Sequence, residues 1–273
     1  MEQNIKKNED YLKTGLYFMG FTQDLYPALE KAVQEGKPGF SLNETRSFNN
    51  REFEYKLNYA ASTKNNGYPY EWTGYDVSLK ENQEHKVHIN VDNNRGITAK
   101  ESANLLSGLA VGKGLKTGGI ERESWTVLDF SKKDEQGNFV QKTFGEGYGF
   151  DMKAALKELQ PLINEGKPLS ADELNNLRKG NMPDVTFTQD GKAQSAFLIV
   201  KPEERQIEVY NEEGKLLKEQ TGISRQRQEM EEKIAKQPKK MDFIQNNLLA
   251  KMPRKTTPAL AEAGEEEKKS RKR

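Results

Sequence analysis

The sequence predicts an α+β fold of antiparallel hairpins and meanders packed with short helices, ending in a charged, disordered C-terminal tail. Three observations predict it. Apolar and polar residues alternate in several runs, the period of a sheet with one wet face. Between these runs lie helix-period segments that open on recognisable caps. Beyond Gly222 the aromatics thin out and charge takes over.

Two helices are expected to open the chain. Tyr11, Leu12, Leu16, Tyr17 and Met19 follow a possible cap at Asp10, and Gly20 closes the segment. Leu25, Ala28, Leu29, Ala32 and Val33 repeat at helical spacing behind Thr22 or Asp24, with Pro27 in the first turn and Gly36 as the stop. Strands follow: Phe53, Tyr55, Leu57 and Tyr59; Tyr75, Val77 and Leu79; Val87, Ile89 and Val91. Asn-Asn-Gly at 65–67 supplies a turn after the first of them.

Thr98 with Glu101 three residues later forms a capping box, and Ala99, Ala103 and Leu106 share the inner face of the helix it opens. Trp125 to Phe130 is a strand, Gln136 to Asn138 a turn, and Phe139 to Phe144 its hairpin partner. Asp151 caps a helix that buries Met152, Ala155, Leu156 and Leu159. Ser170 and Glu173 make a second capping box, with Leu169 and Leu174 at the positions of a hydrophobic staple. Asp184–Thr188, Ala196–Val200 and Ile207–Tyr210 read as a closing meander. The body is expected to span residues 1–222, with a possible subdivision near 92–97, and the charged tail residues 223–273, partly helical over Ser224 to Gln237 and otherwise disordered.

Charge divides in the same place. From Ser224 onward there are 14 Lys/Arg against 8 Asp/Glu, net +6; of the totals of 43 and 42 this leaves 29 and 34 for the body, net −5. An acidic body does not steer toward nucleic acid, so phosphate contact falls to the tail, through Lys268, Lys269, Arg271, Lys272 and Arg273. The chain has no cysteine, which excludes disulfide scaffolds, Cys-ligated zinc, iron–sulfur centres and thiol nucleophiles, and suits a reducing compartment. The N-terminus is polar and no run approaches the ~18 apolar residues of a membrane span. The expected location is the cytoplasm, without membrane contact.

Catalytic constellations are absent from the pattern. His85 and His88, three apart on a strand, face opposite sides and cannot share a metal; each reads as a partly exposed strand residue. No Gly-x-Ser-x-Gly elbow accompanies them. Gly108-Leu-Ala-Val-Gly-Lys-Gly114 falls short of a phosphate-binding loop: the spacing is one residue short, Gly114 replaces the magnesium-binding hydroxyl, and a helix precedes it. Gly112, Gly114, Gly118 and Gly119 are expected to form a mobile loop instead. No cofactor or metal site is expected.

Glu146-Gly-Tyr-Gly-Phe-Asp151 carries the most specific signal. Its Gly-Tyr-Gly-Phe core is similar to the RNA-recognition-motif segment that stacks bases, which would make Tyr148 and Phe150 nucleic-acid-binding residues. The element order from 87 to 164 could supply five members of a βαββαβ unit. Glu146 and Asp151, however, stand where that motif wants a cation and a valine. The structural reading places Tyr148 in the core beside Trp125, Phe130 or Phe144.

Asn104-Leu-Leu-Ser-Gly108 with Ala110-Val111, Leu128-Asp-Phe130, Tyr148-Gly-Phe-Asp151, Lys179-Gly-Asn181, Val185-Thr-Phe187, Asp190-Gly191 and Val209-Tyr210 together resemble a family of uncharacterised Bacteroidetes proteins often carried on conjugative and other mobile elements. The resemblance covers about residues 8–220; the Gly112–Gly119 stretch departs from it, being less polar than the family's. It implies a setting beside DNA-processing genes and supplies no activity or catalytic residue. The function expected is that of a non-enzymatic accessory binding protein, with a protein partner first, nucleic acid second and an enzyme of unrecognised type third. The sequence leaves oligomeric state open.

Overall fold

The computed structural model describes residues 2–63, 68–91, 96–117 and 120–218. They form three antiparallel sheets and five α-helices, the α+β architecture that the alternating runs require. The first sheet is a meander of β1 (Gly39–Phe48), β2 (Arg51–Ala61), β3 (Tyr70–Leu79) and β4 (Asn82–Asn90). The second holds β5 (Val111–Thr117), β6 (Ile120–Lys133) and β7 (Phe139–Phe144). The third runs β11-β10-β9-β8 in space, from β8 (Asp184–Gln189), β9 (Lys192–Lys201), β10 (Gln206–Asn211) and β11 (Leu216–Lys218).

Helices α1 (Glu2–Phe18), α2 (Tyr26–Gln34) and α3 (Ala99–Leu106) serve the first core. Leu12, Leu16, Leu29 and Val33 meet Phe53, Tyr55, Leu57, Tyr75 and Val77 from the inner face of the first sheet. Phe21, in the connection between the first two helices, sits edge-on against Tyr55, Trp72 and Tyr75. The Tyr55 hydroxyl donates to Ala99 O at 2.7 Å, so a buried polar tip also fixes α3. Val111 and Leu128 join this core from beyond the 92–97 stretch. Helices α4 (Met152–Leu159) and α5 (Ala171–Arg178) cover one face of the third sheet in a second core with Trp125 and Val127.

The capping signals hold in detail. Thr98 and Ser170 each form the reciprocal box with Glu101 and Glu173, and Asp151 accepts from the amides of Lys153 and Ala154. Pro27 falls in the first turn of α2.

Other expectations are corrected. Helix α1 does not start behind Asp10; it begins at Glu2, because Asn8 is buried and clasps the backbone of Tyr70 in both directions at 3.0 Å. That tertiary pair makes a polar stretch helical, and Asp10 is an interior residue. Neither Thr22 nor Asp24 caps α2; Thr22 donates instead to Glu44.

The glycine-rich stretch is not a loop at Gly112 and Gly114: both lie in β5, paired with Trp125 and Glu123 of β6. A Cβ at Gly112 would meet the Trp125 ring at 3.0 Å, so glycine there admits the indole. Gly118 and Gly119 lie outside the described residues, as do the expected turn at 65–67 and residues 92–95 of the possible subdivision. Strand β1 was not legible, since Glu44 and Arg46 occupy its alternate positions; it returns into β2 through Asn49 and Asn50, both with positive φ, as a tight hairpin demands. No βαββαβ unit forms, because β4 belongs with β1–β3 while β6 and β7 pair with β5.

Candidate functional site

The outer face of the first sheet forms a concave surface. β2, β4 and the part of β3 beyond its bulge, from Tyr75 on, turn their odd-numbered side chains into the core, so the even-numbered ones stand together on the other side. Register arranges them in rows. One runs Asn43, Lys56, Asp76, His88; the next runs Thr45, Glu54, Ser78, Lys86; a third runs Ser41, Asn58, Gly74, Asn90. The β6–β7 turn leans over the Lys86 end, and Gln141 of β7 ties it down by donating to His88 O at 2.7 Å. The result is a concavity of about 940 Å³ with Asn43, Lys56, Asp76, Lys86, His88 and Asn138 among its walls.

Its polar groups are cross-braced. His88 Nδ1 lies 2.7 Å from Asp76 Oδ1, and Asn58 donates to the other Asp76 oxygen at 3.0 Å. His88 Nε2 is 3.3 Å from Asn90 Oδ1. Gly74 makes room for this: a Cβ there would lie 3.0 Å from His88 Nε2 and 2.7 Å from Ile89 O. Ser78 donates to Gln83, which donates in turn to Glu54. At the rim, Asp134 accepts from Asn138 and Gln136, and the Asn138 side chain above all holds its carboxyl below the usual range. Glu54, Asp76 and Asp134 thus stand among Lys56 and Lys86, with His88 beside Asp76, so the face mixes both signs and carries no positive excess.

Chemically, this arrangement presents fixed donors and acceptors. It does not pair a nucleophile with a base: the Ser78 hydroxyl is committed to Gln83, and both His88 nitrogens face Asp76 and Asn90. Among the described residues no three His, Asp or Glu side chains gather where they could hold a metal ion. His85 does point away from His88, as strand geometry requires, but it is not partly exposed. It is buried, with Nε2 2.8 Å from Leu106 O and its ring stacked on Phe130.

Tyr148 is half-buried in a 3-10 turn, with its ring 4.6 Å from Phe144 and its hydroxyl donating to Glu203 O. The Arg205 guanidinium lies 4.7 Å over that ring. Phe150 packs edge-on against Trp125 at 5.5 Å and lines the second core. Neither residue lines the concavity. Lys268, Lys269, Arg271, Lys272 and Arg273 lie outside the described residues. The members of the concave face were missed in the sequence, although the polar halves of the alternating strands were visible; only register shows that they converge. No family model, curated protein or solved structure matches this chain.

Proposed function

We propose that the chain is a non-enzymatic accessory binding protein that recognises a protein partner through the outer face of its first sheet. The observation that carries this reading is the concavity of cross-braced side chains of both charge signs around Asp76 and His88. Rigid donors and acceptors of mixed charge with no positive excess suit the mixed polar surface of a protein, whereas a phosphate backbone calls for a net positive groove. The mobile-element setting rests on the string resemblance alone.

The test is capture from the native host with wild type and with Lys56→Glu and Asp76→Ala proteins that keep their fold. A partner that survives nuclease treatment and is lost with both variants supports the proposal. A nuclease-sensitive capture, equally strong for the variants, would transfer the function to nucleic acid and to Tyr148, Phe150 and the basic tail.

A further inference from the structure

Strand β1 ends the first sheet on one side. It pairs with β2 over all ten residues without a bulge, and among the described residues no strand lies on its other edge. The opposite edge strand, β4, is covered by the β7 contact through Gln141. A long, regular edge normally carries a device against pairing, such as a proline, a bulge or an inward charge. β1 has only the last, Glu44 and Arg46, two residues apart and of opposite sign.

We infer that these charges select a partner strand, and that the partner is β1 of a second copy, paired antiparallel about a two-fold axis through Thr45. In that register each position i faces position 90 − i of the other copy, so Glu44 faces Arg46 twice, Leu42 faces Phe48 twice, and Thr45 faces itself. Neighbouring registers are penalised. Moving the axis to Glu44 places the two Glu44 side chains opposite each other, and moving it to Arg46 does the same with two arginines. The same two charges that block random pairing therefore specify one register.

A second observation points the same way. The Glu44 side chain is only 9% exposed, yet among the described residues its Oε2 has no hydrogen-bond partner. Its Oε1 takes both bonds from Thr22, and Arg46 of its own chain stays 3.7 Å from that oxygen. A buried carboxylate oxygen left unpaired is costly. Arg46 Nη1 donates to Gly20 O of its own chain. A turn of the Glu44 side chain toward the edge would present Oε2 to the remaining nitrogens of the guanidinium across the two-fold. The pairing joins the two first sheets into one of eight strands. Its central row reads Lys86, Ser78, Glu54, Thr45 and then the same residues in reverse, so the concavities, which reach Asn43 and Thr45, adjoin at the axis.

The chain's lack of cysteine makes the test direct. Cysteines directly opposite in a ladder lie within the roughly 4.4–6.8 Å Cα span of a disulfide. Thr45→Cys in the full chain, exposed to a mild disulfide oxidant, is expected to give a covalent dimer, while Ser41→Cys, far from its own symmetry mate, stays monomeric under denaturing electrophoresis. By sedimentation equilibrium, Thr45→Lys and Thr45→Glu should each weaken self-association by about fivefold or more through like charges on the axis, and their mixture should restore it. Unchanged melting temperatures would show that the exposed variants still fold. A wild-type chain that sediments as a monomer at high micromolar concentration, or equal cross-linking at positions 41 and 45, overturns the inference.

Discussion

At the scale of the residue, burial decides what His85 does. Removal from water, more than any other influence, holds its imidazole below the ordinary value near 6.5, although the Leu106 carbonyl works in the opposite direction. The folded chain then binds this proton less readily than the unfolded chain does. Its contribution to stability is complete above about pH 6.5 and is lost as the pH falls below that value. We expect the melting temperature to decline between pH 7 and 5, before most carboxylates titrate, and His85→Gln, which can still donate to Leu106, to flatten that decline. A wild-type profile level across this range would refute the account. The sequence marked His85 only as facing away from His88. Its neighbours Phe130 and Phe139 come from a different hairpin, some 45 residues on, which no local pattern announces.

At the scale of the element, two capping boxes of identical pattern sit in different surroundings. Glu173 is half-buried and serves only the first turn of α5 among the bonds described. Glu101 is 2% exposed, caps α3, and also receives the Lys113 ammonium from β5 at 2.5 Å. Glu173→Ala should therefore cost about 0.5–1 kcal/mol, the range of a lost cap. Glu101→Ala should cost at least about 1 kcal/mol more, because it strands a partly buried cation. Denaturant titration of both variants checks the ordering, and equal costs would mean that Lys113 finds water freely. Caps were readable because their bonds close within four residues. The second load on Glu101 was not, since the stretch holding Lys113 reads as a glycine loop and becomes a strand only when Trp125 lies across Gly112.

At the scale of the whole molecule, the two large cores draw their buried residues from between Leu12 and Val209. Beyond Pro253 the sequence is mostly Lys, Arg, Glu and Ala, too poor in large apolar groups to add to them. A chain ending before Pro253 should thus melt within a degree or so of the full chain, about the shift expected from a change well under 1 kcal/mol. A sharp fall would show that the tail docks on the body. The sequence by itself determined the fold class, most strand positions, three helix starts and the absence of a recognisable catalytic motif, because alternation, capping and motif spacing are local and are written within a few residues. Tertiary structure alone decided which strands share a sheet, the full length of α1 through the Asn8 clasp, the existence of β1, and the gathering of Asn43, Lys56, Asp76 and His88 into one row. Those outcomes depend on register between strands up to 45 residues apart in the chain, where a shift of one residue would turn every side chain to the opposite face.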